Sequence, residues 1–299
     1  MTRRRPPIIG VFDSGVGGLS VLRELVRQLP HHDIVYFADE AHVPYGPRQM
    51  EEIRAFARAI TAFLIEQGAC VVVVACNAAS AASLHQLREW FEIPIVGMEP
   101  AVKPATERTR SRHVGVIATQ ATFQGELFAR LLERFAQETA VHTQVCPGLV
   151  ERVEAGLTDD PETEALLRAY LQPVLDAGID SLVLGCTHYP FLRPAIERVV
   201  GPAVEIIDPA PAVARQTAHV LERANRRCHD GTGRVTYFTS GDDAGFETKV
   251  KRLVAIPGPV LAARWENGRL LTAVPSLRSR AGPPLSEALS GNKGKSRGG

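Results

Sequence analysis

Lysine is scarce in this sequence: the five are Lys103, Lys249, Lys251, Lys293 and Lys295. None stands at the end of an apolar run in a form that suggests a Schiff-base amine, so chemistry through an imine on lysine is not indicated. Cysteine also numbers five, at positions 70, 76, 146, 186 and 228, an odd count with no C-x-x-C pair and no regular spacing. That pattern argues against a disulfide framework and against a zinc site, and fits reduced thiols in a cytosol. Long hydrophobic runs are missing too. The longest, Ala69 to Cys76, is far short of the ~20 residues needed to span a bilayer. The N-terminal MTRRRPP has the charge of a signal peptide, but the apolar run behind it ends at Asp13 after only Ile8 to Phe12, so no export is expected. A one-signed charge field is also lacking. The formal net charge is +1, and Arg278, Arg280, Lys293, Lys295 and Arg297 against Glu287 put +4 of it in the last stretch, Pro275 to Gly299. Residues 1–274 therefore carry −3, which suggests no nucleic-acid groove and makes a small polar ligand the expected partner.

What is present is a chain of 299 residues, 45% hydrophobic, long enough for one large domain or two ordinary ones. Residues 7–12 read as a strand and SGVGG as a turn. Leu19, Leu22, Leu25, Val26 and Leu29 then recur with helical spacing. A strand at 32–38, a helix at 49–67, a strand ending in VVVVAC, a helix at 78–91, a short strand at 93–97 and a helix at 101–110 continue the alternation. Such alternation predicts a mostly parallel sheet flanked by helices. At His113 the series begins again: HVGVIATQATF repeats the form of PIIGVFDSGVG, with Gly10-Val11 offset from Gly115-Val116 by 105, while Cys76 and Cys186 are offset by 110. Two similar halves are expected. Strands at 141–145, 181–184 and 204–207 alternate with helices at 122–135, 162–177 and 191–199. A helix at 208–225 and a strand-plus-helix appendage at 234–253 follow. The expected division is a first α/β domain of 7–100 closed by 208–272, a second of 101–207, and a disordered tail at 273–299, where Gly, Ser, Pro, Lys and Arg take over.

In open α/β sheets ligands gather at the C-terminal ends of strands, where helix N-termini present N–H groups. Asp13, Asp39, Cys76, Thr119 and Cys186 all fall at such ends. Taken alone, Asp13, Ser14 or Thr119 reads as well as a helix cap. The DSGVGG turn matches no nucleotide fingerprint, but its glycines permit close approach of backbone N–H groups to an anion such as a carboxylate. Cys70, Cys146 and Cys228 have no polar company and read as small buried hydrophobes. Cys76 and Cys186 differ. Each ends a β-branched run and is followed at once by polar residues, Asn77 after one and Thr187-His188 after the other. Two thiols facing each other across a cleft form an arrangement for moving protons, and His188 beside Cys186 has the ordinary pKa to accept or return one. Glu154, by spacing alone, reads as a solvated helix residue.

With these residues assembled, the chain resembles the glutamate racemase family of cofactor-independent aspartate/glutamate racemases. The matching pieces run in order over roughly 8–255: GVFDSGVGGLSVLREL, Asp39 with VPYG, VACNAAS, GMEPAVKPA, GVIATQATF, LVERVEAG, GCTHYP and IDPA. The resemblance implies two pseudo-symmetric α/β domains with glutamate between them and no cofactor. It implies Cys76 and Cys186 as the proton donors and acceptors, assisted by Asp13, Glu154 and His188. By the same resemblance Ser14, Tyr45, Gly46, Asn77, Thr119, Thr122 and Thr187 hold the substrate, the enzyme is a cytoplasmic homodimer, and D-glutamate goes to peptidoglycan. One position departs from the pattern: the family's first motif usually reads Cys-Asn-Thr, and here position 78 is alanine, so a side-chain hydroxyl is absent while the backbone N–H of Ala78 remains. Two other readings stand beside this one. One is a racemase of aspartate or another acidic substrate, against which His188 argues because such relatives typically carry glutamate there. The other is a non-catalytic binding protein that kept the bilobal cleft.

Overall fold

The computed structural model describes residues 7–273. The chain opens with β1 (Ile8–Asp13), α1 (Leu19–Gln28), β2 (Asp33–Ala38), α2 (Met50–Glu66), β3 (Ala69–Val74), α3 (Asn77–Trp90), β4 (Ile95–Gly97) and α4 (Val102–Arg108). It continues with β5 (His113–Ala118), α5 (Gln120–Gln124), α6 (Glu126–Phe135), β6 (Ala140–Val145), α7 (Leu149–Ala155), α8 (Pro161–Asp176), β7 (Ser181–Gly185), a 3-10 turn over Tyr189–Leu192, α9 (Arg193–Val200) and β8 (Glu205–Ile207). Then come α10 (Ala210–Arg223), β9 (Val235–Thr239), α11 (Asp243–Leu253), β10 (Val260–Glu266) and β11 (Arg269–Thr272).

Two sheets result. The first has strand order β11-β10-β9-β2-β1-β3-β4, parallel except for the antiparallel β10-β11 pair, and the second has order β6-β5-β7-β8, all parallel. The segment β2-β1-β3-β4 and the whole of the second sheet share one winding, so β1 corresponds to β5 and β3 to β7. Gly10 and Gly115, paired by the sequence repeat, are each the third residue of the corresponding strand. A Cβ at Gly10 would lie 2.9 Å from Ala69 Cβ, and one at Gly115 would lie 2.7 Å from Val174 Cγ1, so both glycines mark close packing against a neighbouring element.

The central strands are apolar because both faces are covered, whereas the edge strand β6 buries none of its residues. All six residues of β3 are buried, as expected for a central parallel strand under two helical layers. The helices bury one stripe each: α1 turns Leu19, Leu22, Leu25 and Val26 inward. Capping sets where they start. Asp160 accepts from the N–H groups of Glu162 and Thr163 at 3.1 and 3.2 Å with Pro161 in the first turn of α8, and Asp242 accepts from Gly245 N–H at the start of α11 at 2.8 Å. One buried cluster runs from sheet to sheet, joining Val16 and Tyr36 to Val153 and Tyr189.

The expected helix at 122–135 is two helices broken at Gly125, whose backbone lies against α3: a Cβ there would sit 2.6 Å from Ala81 Cβ. The expected helix at 191–199 is preceded by a 3-10 turn in a stretch holding Pro190 and Pro194. The hairpin β10-β11 was not anticipated, although its Asn267-Gly268 turn, with φ of 50° and 73°, is the strongest short-range hairpin signal. Among the described residues no helix is long and apolar enough to cross a membrane. The tail expected to be disordered lies, from residue 274 on, outside the described residues.

The late elements pack back on the first sheet. Phe246 of α11 is fully buried, with ring centroids 6.3 Å from Tyr36 and 6.1 Å from Tyr237. Phe246→Ala is expected to cost about 3–5 kcal/mol in urea unfolding; a loss under about 1 kcal/mol would mean that α11 does not close the first sheet through this ring.

Candidate active site

Strand order locates the crevice. In each sheet the chain winds outward in both directions from a central pair, β1/β3 in one and β5/β7 in the other, and the gap beyond the carboxyl ends of such a pair is where an open sheet binds ligands. Asp13 ends β1, and Cys76 follows β3 as the N-cap of α3, its sulfur accepting from Ala79 N–H at 3.4 Å. Thr119 follows β5 and Cys186 follows β7. The two lobes bring these four ends together.

A cleft with about 270 Å³ of empty space lies between them. Ser14, Tyr45, Gly46, Cys76, Asn77 and Ala78 line it from the first lobe, and Thr119, Cys186, Thr187 and His188 from the second. Pro44 and Val150 complete the wall, neither of them anticipated. The remaining expected residues stand one layer back. Thr187 Oγ1 donates to Asp13 Oδ1 at 3.2 Å, Thr122 Oγ1 lies 3.1 Å from Thr119 Oγ1, and Glu154 reaches the cleft through His188. Asn77 is 3% exposed, and neither its amide oxygen nor its amide nitrogen has a partner. An unpaired buried amide is costly, so this side chain is set to bind something in the cleft.

The glycines of DSGVGG admit an anion, as the sequence suggests, but the anion is the protein's own. Val16 N–H donates to Glu154 Oε1 at 2.8 Å. A Cβ at Gly15 would stand 2.0 Å from that same oxygen, and one at Gly17 would stand 2.3 Å from His188 Nδ1. Side chains at these two positions would push the second lobe away.

Behind Cys186 runs a chain of charges. Its Sγ lies 3.7 Å from His188 Nδ1, His188 Nε2 lies 2.8 Å from Glu154 Oε1, and Lys249 Nζ donates to Glu154 Oε2 at 3.1 Å and to Glu40 Oε1 at 2.5 Å. Burial opposes charge on His188, but the hydrogen bonds to Cys186 and Glu154 and the nearby negative fields outweigh it and raise the imidazole well above its usual range. Burial likewise opposes charge on Glu154, yet His188, Val16 N–H and Lys249 together bring its carboxyl down to about 2. The pair is an imidazolium and a carboxylate.

Cys76 has the opposite company. Burial, and after it the field of Asp13, pushes its thiol well up, against the pull of the Ala79 N–H. Burial raises Asp13 as well, and His188 and the N–H groups of Gly15 and Gly18 offset this only in part. One sulfur therefore faces a carboxyl group and the other an imidazolium, although both hold the same place in their lobes.

The loop carrying Tyr45 and Gly46 is held from below by Asp39. This carboxylate accepts from Tyr45 Oη at 2.6 Å, Trp265 Nε1 at 2.7 Å and Ser240 Oγ at 2.8 Å, with His42 Nδ1 at 3.0 Å. Tyr45 thus lends the cleft its wall, while its hydroxyl is committed to Asp39. Lys249, Glu40 and Trp265 were not anticipated as part of this architecture. No local motif marks them, because their contacts span 95 to 226 positions of sequence.

The family model described as Asp/Glu/Hydantoin racemase matches residues 9–217. The glutamate racemase of Roseiflexus sp. (strain RS-1) is 50% identical over 248 residues, covering 82% of this chain and 91% of its own. Among solved structures, a glutamate racemase isoform from Bacillus anthracis superposes with a TM-score of 0.82 at 34% identity, covering 89% of this chain and 100% of its own. The Francisella tularensis glutamate racemase in complex with D-glutamate gives 0.76 at 28% identity over 88% of this chain and 97% of its own. The Escherichia coli enzyme in complex with L-glutamate and the activator UDP-MurNAc-ala gives 0.77 at 33% identity over 89% and 99%. A two-lobed α/β fold, two cysteines at equivalent strand ends and this degree of likeness lead to one assignment: the chain belongs to the Asp/Glu/Hydantoin racemase family.

Proposed function

We propose that this protein interconverts L- and D-glutamate by moving the α-proton between Cys76 and Cys186, without a cofactor. The observation that carries the reading is that these two thiols, each just past a central strand of a different lobe, line one cleft. Relatives named glutamate racemase at half identity, and neighbours holding either enantiomer of glutamate, supply the substrate.

In one direction the Cys186 sulfur, as thiolate beside the His188 imidazolium, takes the α-proton: the C–H bond breaks, an S–H bond forms, and the electron pair passes to the α-carbon and its carboxylate. Cys76, held as a thiol by burial and by Asp13, gives its proton to the opposite face and becomes the thiolate. The reverse reaction exchanges the roles. The difficult step is the carbanion, which preorganised donors on the α-carboxylate must stabilise. Asn77 is the donor set to do so, because its amide has no protein partner. Thr187 donates its hydroxyl proton to Asp13 and keeps lone pairs for the substrate ammonium, while the hydroxyls of Ser14 and Thr119 and the backbone of Gly46 and Ala78 complete the binding set, with Thr122 behind Thr119. Ala78 supplies no hydroxyl, and one neutral hydrogen bond of that kind is worth on the order of 1 kcal/mol. The remaining parts of the reading are the division into 7–100 with 208–272 and 101–207, a cytoplasmic homodimer, and D-glutamate delivered to peptidoglycan precursors.

L-glutamate incubated with the protein in D2O is expected to lose its circular-dichroism signal and gain deuterium at the α-carbon, with L-aspartate unchanged. Racemised aspartate beside intact glutamate would replace the substrate assignment. Cys76→Ala and Cys186→Ala are each expected to lower turnover of both enantiomers by about 10²–10⁴-fold in a folded protein; full activity in either would refute the two-thiol scheme.

The Glu154–His188 pair also has a pH signature. Glu154 is lowered from 4.5 to about 2, so its stabilisation is present above 4.5 and is lost as pH falls toward 2. His188 is raised above 6.5, so its share is complete below 6.5 and is lost as pH climbs through the raised value. The stability difference between wild type and Glu154→Gln should be largest between pH 4.5 and 6.5 and shrink in more acid solution. Denaturant unfolding measured from pH 6.5 down to about 2 checks it, and a difference that stays constant as pH falls below 4.5 would contradict the ion pair.

A further inference from the structure

Glu154 Oε1 is fully engaged, with Val16 N–H and His188 Nε2 both at 2.8 Å. Oε2 meets Lys249 Nζ at 3.1 Å, and the same ammonium meets Glu40 Oε1 at 2.5 Å. Glu40 and Glu154 are 8% and 11% exposed at the side chain and Lys249 27%, so two largely buried carboxylates share one cation. Three parts of the chain converge there: the residue after the tip of β2, helix α7, and α11. Lys249 stands one helical turn beyond Phe246, on the same face of α11, and Phe246 is pinned between Tyr36 and Tyr237. The ammonium is therefore delivered by a fixed helix.

We propose that Lys249 is a positioning residue for proton transfer: by bridging Glu40 and Glu154 it keeps Glu154 charged and turned to His188, and so holds His188 against Cys186. This deepens the reading of Cys186 and His188 given above and rests on it. Lys249 is not among the residues that line the cleft and acts through Glu154. Without it, two carboxylates would face each other in a site poor in water, where an isolated like-charge pair takes up a proton. A protonated Glu154 cannot balance an imidazolium.

Among the described residues, Lys249 faces Glu154 from α11, whose Arg252 instead has its guanidinium against Gly156 at the end of α7, and His188 and Cys186 come from the segment after β7. Asp13 comes from β1, and Glu40 lies behind the ammonium. On α7 itself Arg152 is turned to Asp160 and Glu162, and Glu151 lies toward Tyr170 and Tyr189. Asp13 and Glu40 favour a neutral Glu154. His188 and Lys249 favour the carboxylate, and Lys249 is the cation on Oε2.

The test compares wild type with Lys249→Met, Lys249→Arg and the double variant Lys249→Met/Glu40→Gln. Carbon-13 carboxyl NMR follows Glu154, with Glu154→Gln identifying the resonance, and kcat/KM for each glutamate enantiomer is measured against pH. Lys249→Met is expected to raise the Glu154 titration from about 2 by about 1–3 pH units and to move the acid limb of kcat/KM up with it. Lys249→Arg should behave as wild type, and the double variant should return part of the shift, since it removes the competing carboxylate. If Lys249→Met does not fold, the double variant and Lys249→Arg carry the comparison: a Glu154 titration in the double variant equal to wild type would then overturn the proposal. An unmoved titration in folded Lys249→Met overturns it directly, as does an unmoved acid limb with an altered melting temperature alone, which would make Lys249 merely structural. A shifted Glu154 titration in a protein whose wild type leaves glutamate unchanged would support the bridge and refute the racemase reading instead.

Discussion

One carboxylate oxygen, Oε1 of Glu154, accepts from Val16 N–H of the first lobe and lies within hydrogen-bond distance of the His188 imidazolium that backs Cys186. Much of the arrangement depends on it. An ion pair this deep is strongly destabilised when one partner is removed, because the other charge is left unpaired. It therefore tolerates no loose fit between lobes. The glycines at 15 and 17 follow from this constraint, since any side chain there would enter the space of Glu154 or His188. So does the close packing of Gly125 against Ala81 on the other side of the lobe contact.

Duplication provides the second half of the logic. Two sheets wound alike place a thiol past the same strand in each, and when their carboxyl ends face one another both sulfurs open into one cleft. Backbone equivalence does not extend to charge. Cys76 is embedded near Asp13, and Cys186 beside an imidazolium held by Glu154. The proposed inversion starts with one sulfur protonated and the other not, and these unlike surroundings favour that difference.

Much of this was legible in the residues. Alternating strand and helix periods located β1 through β8 to within a few positions, since a strand covered on both faces must be continuously apolar and a covering helix must show a stripe. The repeat of Gly-Val and of the cysteines points to two halves. Asn77, Thr119 and Thr187 were readable because they sit directly after strands. The hairpin at 260–272 carries a local signal in Asn267-Gly268, but its strands are partly exposed and mix charged residues with apolar ones, which blurs their period. Glu154 looked like a solvated helix residue, and in the fold it is nearly buried.

By itself, then, the sequence determined what is local: where strands end, which residues follow them at once, where helices are capped, and that the chain repeats. Tertiary structure alone decided which of those ends meet. Asp39 became the hub for Tyr45 and Trp265, and Lys249 the bridge between Glu40 and Glu154, only through contacts that join positions up to 226 apart. The physical reason is that a charge takes its meaning from its neighbours and from the water it has lost. Both are properties of the packed molecule, and neither is written in the spacing of residues along the chain.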